Sequence, residues 1–206
     1  MLISRWMTRN PISIASGQSL DEARQMMDKG HFRRLPVVDD GRLVGIITDR
    51  DLRLEEYRQP IDQLKHIRVH LLMSRHVITA TPEMLLDQAV NIFIKYKVGG
   101  FPVMDNGKLV GIITTSDLLR AFGEVLGTAE EGVSRIDLAF TGNSFDVATI
   151  AHLVGLSGGE VLGMGTYAGE GDRRRRVFYI RVRAEDAHMV ANLLAEKGFT
   201  VIAIHQ

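Results

Sequence analysis

Two Thr-x-x-Asp pairs, Thr48 with Asp51 and Thr114 with Asp117, stand at the same place in two near-copies of one segment. A hydroxyl and a carboxylate three residues apart at a helix start point the same way. Two kinds of chemistry suit them. In one, the Thr caps the helix and the Asp at its third position answers from the other side, a capping box. In the other, the pair is a polar clamp. Its carboxylate can accept from two vicinal ribose hydroxyls, and the free amides of the helix start attract phosphate. Spacing alone leaves both open. Elsewhere the sequence shows no nucleophile beside a base, no convincing acid–base pair and no phosphate-cradling Walker loop, so no catalytic activity is expected. The absence of cysteine removes disulfides, thiolate metal sites and thiol catalysis. His66 and His70 would share a helix face, but no third ligand accompanies them, and no metal site is expected.

The clamps are carried by a duplication. HFRRLPVVDDGRLVGIITDRDL begins at His31 and KVGGFPVMDNGKLVGIITTSDL at Lys97, with 12 of 22 positions identical and a constant offset of 66. A repeat this regular is a duplicated structural unit, and two copies should fold onto each other as a pair. In each copy, Asp-Gly or Asn-Gly between apolar runs marks a tight hairpin. Upstream, Ser19 to Glu22 reads as a capping box, Leu20, Ala23, Met26 and Met27 follow at helical spacing, and Gly30 closes the helix. In the second copy Thr81-Pro82 opens the helix that carries Leu86, Ala89, Val90 and Phe93. With a strand-like Ile12–Ile14 ahead of the first helix, each unit reads strand, helix, hairpin, helix.

The unit resembles a CBS domain, and the tandem a CBS pair (a Bateman module). The family's Gly-hydrophobic-x-Thr/Ser-x-x-Asp signature stands here as GIITDRD and GIITTSD. Such pairs typically bind adenosine-containing ligands: AMP, ADP, ATP, S-adenosylmethionine or NAD-type dinucleotides. The resemblance implies that Asp51 and Asp117 hold ribose with Thr48 and Thr114, and that Ile46 and Ile112 line the clefts. Each cleft borrows its adenine wall from the other repeat, so Asp117 faces Phe32 and Arg33 while Asp51 faces Val98 and Gly99. Arginine suits phosphate. Arg33 and Arg34 therefore suggest a phosphorylated nucleotide for the Asp117 cleft. Gly99, Gly100 and the extra carboxylate of Asp49 suggest an uncharged or cationic adenosyl compound, or none, for the other.

Past a Gly- and Glu-rich linker the pattern changes. Ile136, Leu138 and Phe140 alternate as a strand does, then Val147, Ile150, Ala151 and Val154 step as a helix capped by Asn143 or Ser144. Val161–Tyr167 and Val177–Val182 read as strands, Ala187, Val190, Ala191 and Leu194 as a helix stripe ended by Gly198, and Thr200–Ile204 as a last strand. This βαββαβ order suggests a ferredoxin-like sandwich and resembles an ACT domain, a module that commonly binds amino acids at dimer interfaces. Thr141-Gly-Asn-Ser144 replaces that family's Pro-containing turn, which favours a structural, dimerising role. Alternation sends Arg173 to Arg176 to opposite faces, and no aromatic platform accompanies them, so no nucleic-acid site is read there.

The fold class is therefore α+β, a tandem CBS pair followed by a ferredoxin-like, ACT-like domain. The expected boundaries are 1–66, 67–126, a linker at 127–134, and 135–206. Balanced charge, 25 basic against 25 acidic residues, steers the chain toward neither nucleic acid nor anionic membrane. No signal peptide or spanning run is seen, and a cytoplasmic protein is expected. CBS pair plus ACT-like domain, with GVSRIDLAF and ITDRD, resembles the AcuB family of acetoin-utilisation proteins. That resemblance implies a regulatory or accessory role in carbon metabolism. The functional expectation is a non-enzymatic sensor with an adenosyl ligand, no required cofactor, a homodimeric state and an unknown regulated protein. The alternatives are an assembly module with ligand-free clefts and an ACT-based amino-acid sensor.

Overall fold

The structure is a computed structural model of the 206-residue chain, and it describes residues 1–127, 131–140, 147–169 and 176–206. It divides into two compact units, Met1–Arg120 and Ala121–Gln206.

The first unit contains β1 (Thr8–Arg9), α1 (Leu20–Gly30), β2 (Arg34–Asp39), β3 (Arg42–Thr48), α2 (Asp49–Arg58), α3 (Leu86–Tyr96), β4 (Gly100–Asp105), β5 (Lys108–Thr114) and the start of α4 (Thr115–Val125). Both hairpins turn as the sequence requires. Asp40 and Gly41, then Asn106 and Gly107, all have positive φ, the signature of a type I′ turn. Each hairpin also shifts register at the same point, after Val37 and after Val103.

The strand expected at Ile12–Ile14 shrinks to one bridge, Ile14 with Val37, and its counterpart is Ala80 with Val103. Ile14 donates to the Pro36 carbonyl and accepts from Val38. The next ladder bond in this parallel pairing would need an N–H from Pro36, which has none. The first helix does carry the Ser19–Glu22 capping box, but its left-handed terminal residue is His31, not Gly30. Gly30 is glycine for room, because a Cβ there would run into the Phe32 ring. In the second repeat Thr81-Pro82 makes a turn, with Met84 N–H donating to the Thr81 carbonyl. The helix begins at Leu86, where Gln88 Oε1 accepts from Leu85 N–H at 3.1 Å. His66 and His70 lie on separate 3-10 turns, so they do not share a helix face.

The lead-in to each repeat packs on the other. β1 pairs with β5, and Ser74 bridges Ile46 on β3. The Met7 sulfur lies 2.5 Å from where a Gly111 Cβ would stand, and the Met73 sulfur bears the same relation to Gly45. The signature glycine is thus glycine so that a buried methionine can cross it. Gly111→Ala should destabilise the chain by about 1–3 kcal/mol, the usual overpacking cost. A denaturant midpoint equal to wild type would show that Met7 simply moves aside.

The second unit contains β6 (Val133–Phe140), α5 (Val147–Leu156), β7 (Glu160–Ala168), β8 (Arg176–Arg183), α6 (Ala187–Glu196) and β9 (Val201–His205). Its antiparallel sheet runs β7-β8-β6-β9. Ile136, Leu138, Phe178, Ile180 and Val182 pack one sheet face against α5 and α6. The expected turn at Thr141–Ser144 and Arg173, Arg174 and Arg175 lie outside the described residues. Arg176 donates to Thr166 Oγ1 across the β7–β8 pair.

Candidate functional site: two clefts around a shared arginine pair

Both Thr–Asp pairs are capping boxes. Asp51 Oδ2 accepts from Thr48 N–H at 2.9 Å and Thr48 Oγ1–H at 2.6 Å, and Thr48 Oγ1 accepts from Asp51 N–H. The second pair repeats this, with 2.9 Å and 2.7 Å for the corresponding bonds to Asp117 Oδ2. A cap of this kind contributes about 1 kcal/mol. A carboxylate offers roughly four lone-pair sites, so capping leaves acceptor capacity on Oδ1. There the repeats differ. Asp117 Oδ1 accepts from Arg120 Nη2 at 2.7 Å, and the same nitrogen donates to the Trp6 carbonyl. Leu54 holds the corresponding position beyond Asp51, so no arginine stands there to pair with Asp51.

Two cavities of nearly equal size flank these boxes. One, of about 440 Å³, brings together Phe32, Arg33, Ile112, Thr114 and Asp117, all expected together from the sequence. Thr8, Asn10 and His31 also line it. Its carboxylate is buried, with Asp117 only 7% exposed. The other, of about 430 Å³, brings together Ile46, Thr48, Val98 and Gly99. Asp49 stands on its wall, while Asp51 turns back onto Thr48 beside it.

The charge distribution departs from the sequence reading, which kept arginine out of the second cleft. Arg33 and Arg34 line both cavities. The Arg34 guanidinium lies directly over Gly99, inside the space a Cβ would need, and its Cδ lies 3.1 Å from a Cβ at Gly100. The two glycines make room for this arginine. Arg50 and Lys97 line the same cleft, so it is the richer of the two in cations. Burial, then the neighbouring Arg33, lowers the Arg34 pKa, although a guanidinium stays charged at any ordinary pH. Among the described residues neither Arg33 nor Arg34 forms an ion pair with a carboxylate. Sequence reasoning missed Arg34's reach, Arg50, Lys97 and the Arg120 contact, because spacing places a Cα and not the end of a long side chain.

The CBS domain family matches residues 3–56 and 66–124, together more than half of the chain. The chain belongs to the CBS domain family. A CBS domain-containing protein of Dictyostelium discoideum is 35% identical over 136 residues, covering 61% of this chain and 94% of that protein. An inosine-5'-monophosphate dehydrogenase of Aquifex aeolicus is 32% identical over 147 residues, covering 62% of this chain but only 29% of the enzyme. The chain therefore spans under a third of that enzyme's length. Among solved structures, the CBS domain pair of protein MJ0100, in complex with 5'-methylthioadenosine and S-adenosyl-L-methionine, superposes with a TM-score of 0.54 at 32% identity. It covers 60% of this chain and 96% of that one. A putative acetoin utilization protein (AcuB) of Vibrio cholerae gives 0.56 at 28% identity, over 64% and 96%. CBSX2 in complex with AMP gives 0.52 at 27% identity, over 63% and 98%. The tandem CBS pair and its place in a mixed α/β chain are thus established. Adenosyl ligands occupy two of these neighbours.

Proposed function

We propose that the protein is a regulatory CBS pair that binds a phosphorylated adenosyl ligand and catalyses no reaction. The observation that carries this reading is the half-buried Arg34, with the exposed Arg33 beside it, set between two clefts that each lie against a Thr–Asp box. A desolvated cation without an acidic partner is costly, and an incoming phosphate would offset that cost. In the proposed pose Asp117 or Asp51 accepts the ribose hydroxyls with Thr114 or Thr48 beside it. Ile112 and Phe32, or Ile46, Val98 and Gly99, flank the adenine, and the phosphate turns toward Arg33 and Arg34. The solved neighbours with AMP and S-adenosyl-L-methionine support the ligand class. Because both clefts present arginine, a cationic compound such as S-adenosylmethionine is the weaker candidate here, with ATP or NAD-type ligands as larger phosphorylated options.

The second unit supports an ACT-like, ferredoxin-like reading through its βαββαβ order and its antiparallel sheet with the last strand beside the first. Within this proposal the CBS pair divides at 66/67 and 135–206 forms a dimerising domain. The assembled homodimer passes the ligand's effect to an unidentified cytoplasmic partner, and acetoin or related carbon metabolism is the candidate setting. Among the described residues no helix is long and apolar enough to cross a membrane.

Asp117's contact with Arg120 favours a second reading, in which the boxes only cap helices and the pair is an assembly module. A thermal-shift panel of AMP, ATP, S-adenosylmethionine and NAD separates the two, because a ligand bound only by the native state raises the melting temperature. Stabilisation by AMP that disappears in Asp117→Ala or Asp51→Ala identifies the cleft in use. No response to any adenosyl compound, with both variants merely less stable, leaves the capping role alone.

A further inference from the structure

The sheet of the second unit buries one face under α5 and α6, and its other face carries a polar cluster. Register sets Arg135 beside Arg181 and Asp137 beside Tyr179, and brings His205 opposite Arg135. Together they wall a cavity of about 600 Å³, a size usual for small-molecule sites.

The two arginines of this cavity are not paired alike. Asp137 is the one Asp or Glu among the described residues of its wall, which Gln206 also lines, and it is only 3% exposed. Both of its oxygens are taken: Arg135 donates from Nε at 2.7 Å and Nη2 at 3.1 Å, and Tyr167 Oη–H donates at 2.7 Å. Burial alone would raise the Asp137 pKa, but these donors more than reverse it, so the carboxylate stays ionised and neutralises Arg135. Among the described residues Arg181 has no such partner. Its Nη2 donates to the Gly127 carbonyl at 3.0 Å, and its Nε is buried with no hydrogen-bond acceptor among the described residues. A buried donor left unpaired costs about 1–3 kcal/mol, which an incoming acceptor recovers.

We propose that this sheet face binds a small organic monocarboxylate through the Arg181 guanidinium. Five features select that class. A guanidinium matches a carboxylate in shape and charge, while Leu126 and Val133 on the same wall suit a short apolar tail. An amino acid would also need an acceptor for its ammonium group, and three of the roughly four acceptor sites of Asp137 are already in use. A nucleobase would need an open aromatic face, but the Arg135 guanidinium lies 5.0 Å and 4.7 Å from the ring centres of Tyr167 and Tyr179. A single guanidinium, already donating once to Gly127, also favours a singly charged anion over phosphate.

The test is calorimetric titration of the full chain with butyrate, glycine and inorganic phosphate at matched ionic strength, on wild type, Arg181→Gln and Arg181→Lys. Butyrate is expected to saturate, bind more tightly than the other two, and lose at least tenfold in affinity in both variants. It is also expected to move the Arg181 Nε–H resonance of the wild-type chain, a readout that holds should a variant fail to fold. No saturation by butyrate, tighter binding of glycine or phosphate, unchanged affinity in the variants, or an unmoved Nε–H signal would each overturn the proposal. None of these outcomes depends on whether the CBS clefts bind nucleotide.

Discussion

Replacing Arg34 with alanine is expected to weaken AMP binding by about 10- to 100-fold while leaving the nucleotide-free protein as stable as wild type, or slightly more so. The two effects have opposite signs for one reason. Without nucleotide, Arg34 is a half-buried cation beside another cation, Arg33, and burial disfavours its charged form. Truncation removes that cost and opens space over Gly99. With nucleotide, the same guanidinium is placed to donate charged hydrogen bonds to phosphate, each of which contributes roughly 1.5–3 kcal/mol. Calorimetric titration and a denaturant melt on the same two proteins decide the matter. Unchanged AMP affinity, or a stability loss above about 1 kcal/mol, would make Arg34 a packing residue.

Asp137→Ala is expected to destabilise the second unit by about 3 kcal/mol. Removing one partner of a buried ion pair typically costs 3–5 kcal/mol. The low end applies because a third of the Arg135 side chain remains exposed. The loss goes beyond one ion pair, since Tyr167 also loses the acceptor that raises its own pKa. The pH dependence follows in sign. Asp137's folded pKa lies below its unfolded value of about 3.9. Its contribution is therefore fully present above that value and is lost as pH falls through the folded pKa. Urea midpoints of wild type and Asp137→Ala should differ most at neutral pH and converge in acid. A constant difference down to low pH would mean that packing, not charge, carries the effect.

Much of the CBS pair was legible because a duplication repeats its own punctuation. Two Asp/Asn-Gly turns and two Thr-x-x-Asp boxes at constant offset specify hairpins and helix starts through local backbone chemistry alone. What stayed hidden depends on distant partners. Nothing near Thr8 in sequence says that β1 joins β5, or that Met7 fills the space over Gly111. Thr81-Pro82 carries the marks of a helix start, yet Gln88 makes the cap four residues later. Of the residues expected around the two clefts, all but Asp51 line a cavity, and Arg34, whose side chain is long, lines both. The Asp137 cluster had left a trace: Arg135 and Asp137 are charged positions on a strand whose alternate residues, Ile136 and Leu138, are core. Alternation shows the outward face, and only the fold shows that Arg135, Tyr167 and Tyr179 bury it.

A crystal structure of the protein grown with AMP would test the central claim most directly. The account predicts adenine in one of the two clefts, ribose hydroxyls within hydrogen-bond distance of Asp117 or Asp51, and the phosphate against Arg33 and Arg34. AMP bound away from the Thr–Asp boxes, or its phosphate turned from both arginines, would contradict it.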